Sequence, residues 1–338
     1  MLIDILCTDG SPIGVTLKDL WGEGNRGVGI GGAEYFLLTL CEAWHNNGHT
    51  VRLYNNPTGI GSPFEQLPVG AFDPNANRDV LITFRTPNPK ALVAKGLKVW
   101  LSCDQYTSEP FSPFAPHMQK IVVISEFHKK YFESTYGIHN SIVIDIPVRF
   151  QDLNLDIPKV PKKCIFTSIP DRGLMELYRI WSATISKRVP DATLTITSDY
   201  RLWGVDERNA PHRVRWMYEP NVTFLGAIPR KQLIEEQLSS QLLVYPSTYD
   251  ELFCIAVSEA QACGVYPITS NTGALSTTNM GTIVPTSAVN YHATFASTVV
   301  DYLNNPELPK LQQEVRQKAI ERFSIEKIMK EWDEKIFA

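Results

Sequence analysis

The chain has 338 residues, 43% hydrophobic and 20% charged, with 32 Lys and Arg against 36 Asp and Glu and a net charge of -4. That length exceeds what one hydrophobic core serves, so two domains are expected, and the lack of a basic excess argues against nucleic acid as the main partner. The six cysteines lack zinc-type spacing and read as reduced core residues of a cytoplasmic protein, and no apolar run reaches transmembrane length, which leaves at most peripheral membrane contact.

In chain order, LIDILC predicts a buried strand, followed by a long loop carrying Gly22, Gly24, Gly27, Gly29, Gly31 and Gly32. The next segment, AEYFLLTLCEAWHNNGH, has the helical period at Phe36, Leu37, Leu40, Cys41 and Trp44, with Gly48 at its end. Gly27, Gly29 and Gly32 spell G-x-G-x-x-G, yet they lie well past the first strand, and the second strand, TVRLY, leads into Asn55-Asn56 with no acid for a ribose. A dinucleotide fingerprint is therefore rejected. The loop amides and the helix N-terminus suit an anion such as a diphosphate, the alternative being a flexible surface loop. DVLITFR, KVWLSCD and KIVVISEF then predict three strands ending near Arg85, Asp104 and Ser125, whose carboxyl ends would line a cleft. Ser125 is expected to cap a helix in which His128 is an ordinary surface residue. Pro158 and Pro161 suit a linker, giving domains over 1–155 and 156–322 and a closing helix over 323–338.

The second domain opens with the strand KCIFTS and the stretch Ile169 to Leu174, where Arg172 begins a helix. A cation there opposes the helix dipole, and an anion beside it would resolve the conflict. VTFLGAIPRKQL reads as strand, turn at Gly226-Ala227 and helix from Pro229, and GTIVP as a short strand; YHATFASTVVDYL, 308–323 and 324–337 read as helices. QLLVY is a strand broken by Pro246, Ser247 and Thr248, and a nearly all-apolar helix then runs to Gly264. Glu251 is expected at the loop tip and Glu259 inside that helix, pointing into protein or a cleft. The plain alternative is a solvated Glu251 and a Glu259 satisfied by backbone groups. A helix opening at the carboxyl end of a strand is, however, where open α/β sheets bind ligands.

The string Glu251-x7-Glu259, then Ala260-Gln261-Ala262-Cys263-Gly264 and T-S-N-x-G-A-L from Thr269, resembles the signature of family-four retaining nucleotide-sugar glycosyltransferases, in a bacterial and phage-like branch. The resemblance implies the GT-B fold: two Rossmann-like α/β domains with parallel sheets facing a cleft, and a C-terminal helix crossing back to the first domain. It implies that Glu251 binds donor sugar hydroxyls and Glu259 the ribose. Ala227 and Ile228 would meet the base through backbone groups, and Gly31 and Gly32 would lie near the donor phosphates. Arg172 falls on the second of two diphosphate-binding cations, while Thr167-Ser168 replace the first. The family's cleft histidine is also missing, leaving Asp104 as the polar candidate there. Amides of Phe253 and Cys254 would complete the phosphate or sugar contacts.

The catalytic residues are accordingly expected to be Glu251, Arg172 and Asp104, with no metal and no cofactor, since no D-x-D stands at a strand end. A UDP or GDP sugar is the expected donor, and a glycan, lipid-linked or small-molecule hydroxyl the acceptor. Ser276-Thr277 stand where the family often has a glutamate. That departure and the missing cation keep a degenerate nucleotide-sugar binder open, as the shared fold does a sugar-nucleotide epimerase or phosphorylase.

Overall fold

The computed structural model describes residues 1–8, 14–23, 29–203, 205 and 207–338. Gly24 and Gly27 of the glycine-rich loop lie outside the described residues. Two units are present: one holds the described residues up to Pro147 other than Gly29, with Ile325–Ala338, and the other holds Gly29 and Val148–Ser324. The chain therefore changes unit at Pro147–Val148, before the expected boundary at 155. The reason is local: the Val148 amide donates to the Phe323 carbonyl at 2.8 Å and Val148 bridges to Ser324, so exit and return lie side by side. No helix among the described residues is long and apolar enough to cross a membrane.

The first unit is built on β1 (Leu2–Cys7), β2 (Thr50–Tyr54), β3 (Glu65–Leu67), β4 (Val80–Phe84), β5 (Leu97–Leu101), β6 (Lys120–Val123) and β7 (Ser141–Val143). They form one parallel sheet in the order β3-β2-β1-β4-β5-β6-β7. Central strands of such a sheet are covered on both faces, which is why β4 and β1 read as apolar runs without alternation. One face packs on an aromatic group in which Trp100 meets Phe111 at 4.9 Å and Phe132 at 5.5 Å. On helix Gly32–Asn46, Trp44 packs edge-on against Trp332 at 5.0 Å, and Trp332 ends helix Ile325–Trp332. Asp4 interrupts β1, fully buried, and pairs with Arg52 at 2.6 Å and Arg78 at 2.7 Å. Removing that carboxylate would strand two guanidinium groups, at about 3–5 kcal/mol.

The second unit carries β8 (Lys163–Thr167), β9 (Thr193–Thr197), β10 (Val222–Phe224), β11 (Leu242–Tyr245), β12 (Tyr266–Ser270) and β13 (Thr282–Val284), parallel in the order β10-β9-β8-β11-β12-β13. Chain order reverses between β8 and β11, so the loops leaving their carboxyl ends, 168–173 and 246–254, flank a topological switch point. After the first loop the chain runs helical as Leu174–Ile180, then a wider π turn over Trp181–Ile185, then Ser186–Arg188. The π turn is a departure from the regular helix expected there. After the second loop comes helix Ile255–Ala262, buried along Val257 to Ala262 and packed on helix Leu308–Phe323.

Candidate active site

In the second unit, Gly173 lets the chain approach the loop after β11. Its φ is +105°, and a Cβ there would stand 2.8 Å from the Pro246 carbonyl oxygen. Arg172, just before it, is carried in a short 3-10 turn, Pro170–Arg172, and donates from Nη1 to Glu251 Oε2 at 2.9 Å. The guanidinium also lies 3.4 Å from the centre of the Tyr249 ring. Tyr245, the last residue of β11, donates its hydroxyl proton to Glu251 Oε1 at 2.7 Å and sits 3.1 Å from Ser168 Oγ. Glu251 is thus 8% exposed, which rules out the plain alternative of a solvated side chain. Burial pushes its carboxyl above the ordinary range, against the opposing pull of Arg172 and Tyr245.

The glutamate is fixed from its backbone side as well. Its carbonyl accepts from the Ala274 amide at 2.6 Å, and Gly273, at φ +57°, leaves the room: a Cβ there would be 2.5 Å from the Glu251 nitrogen. The Ser247 carbonyl accepts from Thr272 Oγ1 at 2.7 Å and from Ser270 Oγ, tying the two halves of the signature together. Phe253 packs edge-on against Phe323 at 5.6 Å. Cys254 caps helix Ile255–Ala262 with φ +75° and ψ +80°, unusual for a residue with a side chain. Such conformations cost about 1–3 kcal/mol and persist where surrounding contacts impose them.

Glu259, one helical stretch on, is 5% exposed. Its Oε1 faces Arg230 Nη2 at 2.7 Å, and Arg230 Nε donates to Asp152 Oδ2 at 3.1 Å. Ala227 is more engaged than a free base contact would be. Its amide donates to Asp199 Oδ2 at 2.9 Å, and its carbonyl accepts from Arg201 at 3.4 Å. Asp199 is fully buried and also bonds the Arg201 amide and Asn209 Nδ2. Burial works against its ionisation, but the Arg201 guanidinium, donating from Nε to Oδ2 at 2.8 Å, with the Ala227 and Arg201 amides outweighs it and holds the pKa down at about 2. The Ile228 carbonyl accepts from the Gly29 amide at 3.1 Å.

In the first unit, Gly31 and Gly32 open helix Gly32–Asn46, where the Glu34 carboxylate sits over Gly31 and already supplies an anion to the helix N-terminus. Asp104, beyond β5, is gripped by Arg85: Nε to Oδ2 at 2.6 Å and Nη2 to Oδ1 at 3.0 Å. Arg85 itself has φ +63°. His128 is fully buried against Phe132, not on the surface as expected, and burial lowers its pKa to about 3. The cause is helix Glu126–Tyr136, which turns that face inward: His128 and Phe132 are its buried residues.

Sequence reasoning brought Arg172, Glu251, Phe253, Cys254 and Glu259 to one unit but missed Tyr245, Tyr249, Arg230, Asp199 and Arg85. For Arg230 a signal existed. It is a cation at the first position of a helix, the same dipole conflict that singled out Arg172.

Residues 215–322 match the family described as Glycosyl transferases group 1. No curated protein matches the sequence. Among solved structures, sucrose-phosphate synthase from Thermosynechococcus elongatus is similar at a TM-score of 0.73 and 17% identity, covering 100% of this chain and 99% of that one. Anabaena Alr3699/HepE, solved with UDP and glucose, has a TM-score of 0.70 at 12% identity, with 100% of both chains covered. WaaG, a glycosyltransferase involved in lipopolysaccharide biosynthesis, has a TM-score of 0.66 at 14% identity over 100% of both chains. The two parallel-sheet units match the GT-B fold of these structures, and within the second unit residues 215–322 match the group 1 glycosyl transferase model.

Proposed function

We propose that the chain is a retaining, metal-independent glycosyltransferase that moves a sugar from a UDP or GDP sugar to a hydroxyl of a glycan, lipid-linked or small-molecule acceptor. The observation that carries this reading is Arg172 held against Glu251 and Tyr249 at the carboxyl ends of β8 and β11. A guanidinium so placed suits a diphosphate, and the carboxylate beside it suits sugar hydroxyls.

In this reading Arg172 exchanges part of its contact with Glu251 for the donor diphosphate. Glu251 accepts from the sugar hydroxyls and Glu259 from the ribose. Amides at Phe253 and Cys254 add phosphate contacts, and Ala227 and Ile228 border the base. As the bond from C1 to the diphosphate oxygen breaks, its electron pair passes to the leaving phosphate, where Arg172 stabilises the charge. The acceptor oxygen bonds to C1 on the same face and gives its proton to that phosphate. The complex of Alr3699/HepE with UDP and glucose supports a nucleotide-sugar donor.

Calorimetric titration of UDP, GDP, ADP, CMP and TDP sugars tests this. Binding of one diphosphate class, unaltered by EDTA and weakened about tenfold or more by Glu259→Ala, is expected. Binding of none, or a strict metal requirement for transfer, would sink it.

A further inference from the structure

We propose that Arg230 is a positioning residue that holds the Glu259 carboxylate aimed for the ribose diol of the donor; this rests on the ribose role given to Glu259 above. Arg230 is 5% exposed and begins helix Arg230–Ser239 directly after the Gly226–Pro229 turn. A cation at that end opposes the helix dipole, so something else must hold it there. Two carboxylates do: Asp152 takes Nε at 3.1 Å, and Glu259 lies 2.7 Å from Nη2. Asp152 is itself gripped from its other side by Arg149 Nε at 2.8 Å, and the Arg149, Asp152, Arg230 and Glu259 side chains are 3% to 7% exposed.

The chain of four charges is neutral as a set, and its last member is the glutamate of the signature helix. Buried ions persist only when paired. A ribose diol offers two hydroxyl donors, and a carboxylate whose direction is fixed has two oxygens to receive them. Without the guanidinium, Glu259 would sit buried with no counter-cation in that set. Arg230 therefore determines whether the site can tell a ribose from a deoxyribose. Asp152, in the turn Phe150–Leu153, braces Arg230 from behind.

The test is calorimetric titration of UDP and GDP and of their 2′-deoxy forms into the full-length protein, with stoichiometry giving the folded fraction. The wild type is expected to favour the ribose form by about tenfold. Arg230→Gln is expected to bring that ratio close to unity, Arg230→Lys to retain part of it, and Asp152→Asn to lower it partially. An undiminished ratio in Arg230→Gln, with both affinities falling together, means that Arg230 only staples the fold, and it overturns the inference. Should Arg230→Gln fail to fold, an unchanged ratio in both Arg230→Lys and Asp152→Asn overturns it as well. Nucleotide binding whose ribose preference survives Glu259→Gln also overturns it. A wild type that binds no nucleotide removes the proposed function, and this inference falls with it.

Discussion

Arg172 and Glu251, separated by 79 positions in sequence, meet at 2.9 Å with the Tyr249 ring closing the guanidinium from one side. The pair joins the turn after β8 to the loop after β11.

Arg172→Ala removes the cation proposed to face the leaving diphosphate. kcat/KM is expected to fall by about 10²–10³, as for other single donors to a developing anion. Arg172→Lys should recover only part of this, because an ammonium cannot copy the planar fork or its stacking on Tyr249. Steady-state transfer assays read both, and equal rates in Arg172→Ala and wild type would refute the assignment.

Glu251 carries a raised pKa, caused first by burial. For a carboxyl raised on folding, the folded state binds the proton better, so its contribution to stability is fully present below the unfolded value and lost as pH rises through the folded one. Glu251→Gln has no such loss. Its melting temperature relative to wild type should therefore climb as pH rises through the carboxyl range and then level off. A flat difference across that range would contradict the burial argument.

Gly273→Ala and Gly264→Ala separate crowding from backbone preference. Both glycines have positive φ, +57° and +64°, but a Cβ at Gly264 meets nothing nearer than Arg316 Cδ at 3.6 Å, whereas at Gly273 it strikes the Glu251 backbone. Gly264→Ala should cost about 1 kcal/mol. Gly273→Ala should cost more in urea unfolding and should also lower kcat/KM by displacing Glu251, which Gly264→Ala should leave alone.

His128 is held neutral by burial with a pKa of about 3. The unfolded chain takes up a proton near 6.5, so this residue stabilises the fold above that pH and the contribution drains away as pH falls from 6.5 towards 3. Urea unfolding of His128→Leu against wild type should show the wild type losing stability faster over that window. Parallel curves would count against a buried neutral imidazole.

Much of the architecture was legible in the order of residues because it follows from local period. The apolar runs LIDILC, DVLITFR and QLLVY become β1, β4 and β11, and the amphipathic stretch from Leu308 to Phe323 is a helix over those residues. The spacing of Glu251 and Glu259 likewise marks one loop and one helix. Whether a polar side chain is buried, and by whom it is met, depends on segments far away in sequence. Local pattern left Glu251 without its partners, His128 on the surface and Arg230 without a role. Only the packed sheet, with β8 beside β11 and helix Arg230–Ser239 beside helix Ile255–Ala262, brings Tyr245 and Arg172 to one glutamate and Arg230 to the other. A buried carboxylate takes its charge and direction from such neighbours, and those are decided by tertiary structure alone.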